Sequence, residues 1–110
     1  MDKTQHHEVV DNPGMNRFEV NVGGKVASLE YARRKSAIGL IYLFVPDSLH
    51  YQGLEEALTK YALAYARVNH LQVAPVSSYT AEYVRTRREY DDVLAPQHTW
   101  LYFLPMSARA

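Results

Sequence analysis

The 110-residue sequence contains no cysteine, and this absence excludes three kinds of chemistry. A disulfide framework, a thiolate zinc site and a cysteine nucleophile all need a thiol. A net charge is absent as well, because 12 lysines and arginines balance 12 aspartates and glutamates. Without a basic surplus, the chain lacks the electrostatic footprint that binding to nucleic acid or to an anionic membrane requires. The composition therefore predicts neither a nucleic-acid nor a membrane partner.

Long apolar runs are also missing. The longest run, residues 38–46, has nine residues, whereas a helix that spans a membrane needs about 20. Residues 2–8 are polar, so the start of the chain has no apolar stretch of the kind found in a secretory signal. We therefore expect a cytoplasmic protein. Hydrophobic residues make up 47% of the chain and charged residues 22%, which is ordinary globular usage and enough for one folded domain.

Histidines are the remaining candidates for metal ligands, and the chain has five: His6, His7, His50, His70 and His98. No two of them share the His-x-x-x-His spacing that places two imidazoles on one face of a helix. We therefore expect surface histidines and no metal site.

Three strands are predicted in the first half of the chain. Residues 17–22 alternate between apolar and polar side chains, which is the period of a half-buried strand. Gly23 and Gly24 supply the positive φ angles of a two-residue hairpin turn, and the alternation resumes over residues 25–31. Residues 38–45 are apolar on both faces, which predicts a strand at the centre of a sheet.

Two helices and one more strand follow. Apolar residues recur at the spacing of an amphipathic helix between residues 52 and 69. Residues 71–76 predict a short strand, and Ser77 can cap a second helix over residues 79–88. A strand, a long helix and another strand imply a crossover that joins two parallel strands. The predicted fold class is α+β, with a mixed α/β sheet.

The pattern divides the chain into three parts. Residues 1–15 are polar and end in a turn signal, so we expect a flexible N-terminal arm. The folded domain covers residues 16–94. Residues 95–110 form a C-terminal tail with an aromatic segment that starts at Trp100, and this tail predicts either an added strand or a docking segment. The same segment is a candidate for pairing two copies as a homodimer.

The loop between the third strand and the long helix is the strongest candidate for a ligand site. The first amides of a helix are unpaired donors at the positive end of the helix dipole, and they suit an anion such as phosphate. Tyr51 and Tyr79 both lie where a strand gives way to a helix, which is where open sheets hold their ligands.

Three segments carry a resemblance to a known family. The loop reads Val45-Pro-Asp-Ser-Leu-His-Tyr-Gln-Gly-Leu-Glu-Glu-Ala-Leu58, and the next strand reads Asn69-His-Leu-Gln-Val-Ala-Pro75, followed by Val-Ser-Ser-Tyr79. Over residues 16–94 the chain resembles the small bacterial single-domain members of the GNAT superfamily of N-acetyltransferases. Their loop reads Val-Pro-x-x-Leu-Arg-Gly-x-Gly-x-Gly-x-x-Leu, and their later segment reads Pro-x-Cys-x-Phe/Tyr.

The resemblance implies a GNAT-like fold and transfer of an acetyl group from acetyl-CoA to an amine, carried by a small molecule or a protein. It implies that the loop amides hold the pyrophosphate of acetyl-CoA and that pantetheine lies along the third strand. The implied cofactor-binding residues are Val45, His50, Tyr51, Gln52, Gly53, Leu54, Glu55 and Ser77. Tyr83 matches a tyrosine of the family's second helix and is the first candidate for the acid that protonates the leaving thiolate. Tyr79 is the second candidate.

Four of the implied site residues depart from the family's pattern. His50 stands for an arginine, Tyr51 for a glycine, Glu55 for a glycine or alanine, and Ser77 for a cysteine. A carboxylate at Glu55 would repel two phosphates. Two functions therefore stay open: an N-acetyltransferase with a degenerate pyrophosphate loop, and a non-catalytic GNAT-fold module that binds another ligand or a protein. A C-terminal tail that fills the cofactor cleft or pairs with another subunit would favour the second.

Overall fold

A five-stranded sheet and two α-helices form the part of the chain that the computed structural model describes, residues 7–104. The sheet order is β1-β2-β3-β4-β5, antiparallel as far as β4, and β5 pairs in parallel with β4. The predicted α+β class, with antiparallel strands before a β-α-β unit, is confirmed. The elements are β1 Val10–Asn12, β2 Arg17–Val22, β3 Lys25–Arg33, β4 Ala37–Phe44, α1 Leu54–Val68, β5 Gln72–Pro75 and α2 Ser78–Arg85, with 3-10 helices at Asp47–Leu49, Arg88–Val93 and Gln97–Phe103. Within residues 7–104, no helix combines the length and the apolarity that crossing a membrane requires.

The β2–β3 hairpin forms where the alternating pattern predicts it. Val22 pairs with Lys25, and the two residues between them, Gly23 and Gly24, have φ angles of 59° and 87°. Glycine adopts such angles without the clash that a Cβ would cause, so the turn closes after two residues.

Strand β1 corrects the N-terminal boundary. The sequence predicts a loose arm over residues 1–15, but Val10–Asn12 pair with β2. The Tyr31 hydroxyl on β3 also donates a hydrogen bond of 2.6 Å to Asp11 Oδ1. A three-residue strand is too short to show a periodic pattern of its own. Whether it forms depends on its partners on β2 and β3. Residues 1–6 lie outside the described residues.

Helix α1 covers one face of the sheet, and Phe18 lies at the centre of the contact. Phe18 is fully buried, and its ring centre lies 4.6 Å from that of Tyr31 on β3. Tyr61 and Tyr65 on α1 approach the same ring edge-on, each at 5.2 Å. These contacts fix α1 against the sheet and so place its first turn beside the end of β4.

A β-bulge interrupts β4 at Ile41. Leu40 pairs with Tyr31 on β3, but the next pair along β4 joins Tyr42 to Glu30, so Ile41 has no partner on β3. An extra residue of this kind bends its strand. The pairing with β5 ends at the same place, because Leu40 and Pro75 are the last partners. The two parallel strands therefore separate just beyond Leu40.

The C-terminal tail, predicted to start at residue 95, docks on the sheet as a 3-10 helix. The alternative of an added strand is wrong for Gln97–Phe103, and the alternative of a docking segment describes it. Phe103 is nearly buried and lies directly over Gly39 on β4. Aromatic and apolar composition alone does not distinguish these two outcomes, because either one buries the same rings. Residues 105–110 lie outside the described residues.

The contact between Phe103 and Gly39 gives a testable prediction. A Cβ on residue 39 would lie 2.3 Å from Cδ1 and 2.9 Å from Cβ of Phe103. Rotation of the ring cannot relieve the contact with Cβ, so the tail must shift. We expect Gly39→Ala to lower the free energy of unfolding, measured by urea denaturation, by about 2 kcal/mol.

The control for this prediction is a double-mutant cycle with Phe103→Ala. Once the ring is absent, only the 2.9 Å contact with Cβ of residue 103 remains, so Gly39→Ala should cost about 1 kcal/mol, roughly half of its cost in the wild type. Fully additive losses would contradict the assignment of the effect to this contact.

Candidate functional site

An open cleft of about 560 Å³ lies where β4 and β5 separate. The amides of Val76 and Ser77 both donate to the Leu40 carbonyl, at 3.0 and 2.8 Å, and turn the chain away from β4. Beyond the bulge, residues 42–44 pair with β3 alone, so in the described structure the backbone groups of residues 41–44 on the other side have no strand partner. Such an edge can pair with an extended ligand that carries amide groups. The lining residues are Ile41, Tyr42, Leu43, Phe44, Val45, His50, Glu55, Val76, Ser77, Ser78 and Tyr79.

The loop from β4 to α1 ends in unpaired amide donors. Gly53, with a φ angle of 75°, precedes α1, and no side chain caps the helix there. The first helical bond runs from the Ala57 amide to the Gly53 carbonyl at 3.0 Å. Within the part of the chain that the structure describes, the amides of residues 51–56 donate to no protein acceptor. The positive end of the helix dipole therefore opens beside the cleft with its donors available.

The charge at this end of the cleft is acidic. The carboxylate-bearing Glu55 lines the cleft, and Glu56 lies beside it in the first turn of α1, with Oε2 3.6 Å from Lys60 Nζ. Among the described lining residues there is no lysine or arginine, and His50 is the one basic group. Its Nε2 lies 3.9 Å from Asp47 Oδ1. The carboxylates oppose the attraction that the helix dipole would exert on an anion.

Tyr51 adopts a backbone conformation that suits glycine. Its φ angle is 68°, and its side chain is fully exposed. For a residue with a Cβ, the left-handed region costs about 1–2 kcal/mol because Cβ approaches the following carbonyl oxygen. The loop therefore keeps the conformation expected of the family's glycine, although the chain has a tyrosine at this position.

This strain can be measured by comparing two substitutions. Tyr51→Gly and Tyr51→Ala both remove the exposed ring, but only alanine keeps the Cβ that is strained at a φ angle of 68°. We expect the glycine variant to be more stable than the alanine variant by about 0.5–1 kcal/mol in urea denaturation, after the entropy of glycine in the unfolded chain is subtracted. An alanine variant as stable as the glycine variant would show that the loop relaxes to another conformation.

Ser77 caps α2, as the sequence predicts. Its Oγ accepts a hydrogen bond of 3.3 Å from the Thr80 amide and lies 2.7 Å from the Thr80 hydroxyl. Ser77 is nearly buried, so it closes the floor of the cleft and fixes the start of α2. Tyr79, two residues later, therefore projects from a fixed first turn and lines the cleft with a partly exposed ring.

The two candidate tyrosines occupy different places. Burial raises the pKa of Tyr79, and the negative charges of Glu56 and Glu55 raise it further. Tyr83, one turn along α2, does not line the cleft; its hydroxyl lies 3.5 Å from Glu56 Oε2. Burial, followed by the neighbouring Tyr90, raises the pKa of Tyr83 to about 12. Both phenols are therefore protonated at neutral pH.

The structure brings part of the predicted site together. The predicted residues that line the cleft are Val45, His50, Glu55, Ser77 and Tyr79. Those outside the lining are Tyr51, Gln52, Gly53, Leu54 and Tyr83. Leu54, the first residue of α1, is fully buried. Sequence reasoning missed Tyr42 and Phe44, exposed aromatic residues of β4, because a continuous apolar run does not show which of its residues a bulge turns outward.

Side chains that could bind a metal ion are not clustered in the described part of the chain. Among residues 7–104, no group of three or more histidine, aspartate or glutamate side chains lies close enough to hold a metal ion.

The fold and the cleft define a class of protein: a mixed sheet whose parallel strands β4 and β5 separate around an open cleft, with a helix N-terminus at its edge. Residues 17–93 match the family model described as GCN5-related N-acetyl-transferase. The chain therefore belongs to the GNAT family of N-acetyltransferases, and the family resemblance of the sequence is confirmed.

A solved structure agrees with this assignment. The solution NMR structure of a GCN5-like protein from Staphylococcus aureus is similar over 80% of this chain and 87% of that chain, with 22% sequence identity and a TM-score of 0.61. At this identity the likeness shows the fold, and the predicted GNAT-like fold is confirmed. No curated protein matches the sequence.

Proposed function

We propose that the chain transfers an acetyl group from acetyl-CoA to an amine carried by a small molecule or a protein. The observation that carries the proposal is the open cleft between β4 and β5, in which the unpaired strand edge of residues 41–44 leads toward the unpaired amides of residues 51–56. Membership of the GNAT family supports the reaction class.

The residues of the cleft fit most of acetyl-CoA. The pantetheine arm carries amide groups, and the free edge of β4 can pair with them as it would with another strand. A volume of about 560 Å³ lies within the usual range for small-molecule sites. The amides of residues 51–56 suit the pyrophosphate, and the Glu55 carboxylate opposes it at one point. When bound, acetyl-CoA supplies the thioester that an amine attacks.

The side chains that line the cleft supply the proton transfers. Tyr79 faces the cleft as a protonated phenol, so it can donate a proton to the departing sulfur. Tyr83 stands one turn behind it, with the two ring centres 6.2 Å apart. An ammonium group must lose a proton before its nitrogen attacks, and His50 and Glu55 are the acceptors in the lining.

Calorimetric titration with acetyl-CoA tests this proposal. We expect saturable binding in the micromolar range, which corresponds to about −8 kcal/mol. Release of CoA thiol in the presence of free amino acids, a polyamine or a lysine-containing peptide would then identify the amine. No binding at millimolar acetyl-CoA would contradict the proposal.

Glu55→Gln is expected to strengthen the binding of acetyl-CoA about three- to tenfold, because it removes a negative charge beside the phosphates and keeps the shape of the side chain. Glu56→Gln is the matched control, since Glu56 lies in the same turn but pairs with Lys60 and does not line the cleft. The control should change the affinity less than twofold. Equal dissociation constants for wild type and Glu55→Gln would contradict the position given to the phosphates.

The degenerate loop favours a second candidate function, a non-catalytic module. Tyr51 and Glu55 replace small residues of the family's loop, and His50 replaces its arginine. The other feature that would favour a module is a tail that fills the cleft, but Phe103 packs over Gly39 and no residue of Gln97–Phe103 lines the cleft. Binding of acetyl-CoA without acetyl transfer to any amine would favour the module.

A further inference from the structure

A hydrogen bond ties the start of the described chain to the candidate pyrophosphate loop. His7 Nε2 donates to the backbone carbonyl of Gln52 at 3.0 Å, across 45 positions of sequence. Gln52 lies between Tyr51 and Gly53, both of which have positive φ angles. Strand β1 begins three residues after His7 and is fixed to β2 and to Tyr31, so His7 reaches the loop from an anchored segment of the chain.

Little else holds this turn of the loop. The hydrogen bonds of the 3-10 helix end with the His50 amide, which donates to the Asp47 carbonyl at 3.2 Å. The next backbone bond in the described chain joins the Gly53 carbonyl to α1. Between these points the loop contains the strained Tyr51, which on its own would favour another conformation. In the described part of the chain, the hydrogen bond from His7 is the one that holds the Gln52–Gly53 peptide between these two points.

We propose that His7 is a positioning residue of the cofactor site. By holding the Gln52 carbonyl, His7 fixes the direction in which the Gly53 N–H points, so that this amide can donate to a pyrophosphate. A peptide unit is planar and trans, so fixing its carbonyl fixes the opposite direction of its N–H. This inference rests on the proposed function for the identity of its ligand. It assigns the segment before β1 to the site, although His7 itself does not line the cleft.

The test uses three variants of the full chain and two ligands. His7→Ala removes the donor, His7→Gln keeps an N–H donor on a side chain of similar reach, and Glu8→Ala is the neighbouring control. The ligands are acetyl-CoA and S-acetylpantetheine, which has the same thioester arm but no pyrophosphate. The carbonyl ¹³C signal of Gln52 in the free protein reports the hydrogen bond directly, without any ligand.

His7→Ala is expected to shift the Gln52 carbonyl signal and to weaken binding of acetyl-CoA about fivefold, the usual worth of one hydrogen bond. Affinity for S-acetylpantetheine and the melting temperature should stay at the wild-type values, because a general loss of structure would lower both. His7→Gln should restore at least half of the loss, and Glu8→Ala should match wild type.

An unchanged Gln52 carbonyl signal in His7→Ala, or equal weakening of the binding of both ligands, would overturn the inference. Unchanged affinity of His7→Ala for acetyl-CoA would also overturn it. A wild-type chain that binds neither ligand overturns the proposed function instead, and the Gln52 signal then still decides whether His7 holds the loop.

Discussion

Tyr79→Phe is expected to lower kcat for acetyl transfer about a hundredfold, the usual contribution of a positioned general acid. Its KM for acetyl-CoA should stay within about twofold, since the hydroxyl acts on the departing sulfur rather than on the bound donor. Burial and the carboxylates of Glu56 and Glu55 raise the pKa of Tyr79 above the ordinary value of 10. The wild-type rate should therefore show no loss from this group until the pH rises above 10.

Tyr83→Phe is the control for this prediction. Tyr83 lies on the same helix, is buried and is one turn away, but its hydroxyl faces Glu56 and does not line the cleft. We expect a change in kcat of about threefold or less, through small shifts of α2. A hundredfold loss in Tyr83→Phe with near-normal Tyr79→Phe would show that Tyr83, the first candidate from the sequence, is the acid.

The second large effect concerns stability. Phe18→Ala is expected to lower the free energy of unfolding by about 4 kcal/mol, as usual for loss of a buried aromatic side chain. Phe18 is fully buried, and Tyr31, Tyr61 and Tyr65 all pack against its ring. The resulting cavity would weaken the packing of α1 against β2 and β3. This packing holds α1 in place beside the cleft.

Urea denaturation measures this effect, with Phe18→Leu as the control. Leucine keeps most of the volume and should cost only about 1–1.5 kcal/mol. Because small domains have about 5–15 kcal/mol of stability in total, the alanine variant should also melt at a clearly lower temperature. A loss below about 1.5 kcal/mol for Phe18→Ala would mean that the three tyrosines close the cavity.

The sequence predicts the elements whose residues carry their own pattern. The alternation of residues 17–22, the Gly23-Gly24 turn and the apolar stripe of α1 all appear in the structure within a few residues of the predicted bounds. In each case a local period or a local backbone requirement decides the structure. The Ser77 cap belongs to the same group, since it depends on residues only three positions apart.

Elements that depend on distant partners could not be predicted. Strand β1 forms because β2 offers an edge, and the tail can dock on β4 because Gly39 leaves room for Phe103. The bulge at Ile41 arises from the pairing of β3 with β4, and no residue type marks it. These features depend on tertiary contacts, so the residue pattern within a single segment cannot reveal them.

The candidate site likewise has features that the sequence predicts and features that it does not predict. The loop motif identified His50 and Glu55, because spacing relative to Pro46 and α1 is a property of the sequence. Which tyrosine of α2 lines the cleft depends on how that helix packs beside β5, and the spacing of Tyr79 and Tyr83 by one turn does not decide it. The hydrogen bond from His7 to Gln52 joins residues 45 positions apart and leaves no local signal.

The central claim is that acetyl-CoA lies in the cleft between β4 and β5, with its phosphates on the loop before α1. Titration of ¹⁵N-labelled protein with acetyl-CoA, followed by amide chemical shifts, tests this most directly. We predict that the largest changes fall on residues 41–44 and 51–56 and on the amides of Ser77 and Tyr79. Unchanged amide shifts in these segments at saturating or millimolar acetyl-CoA would contradict the claim.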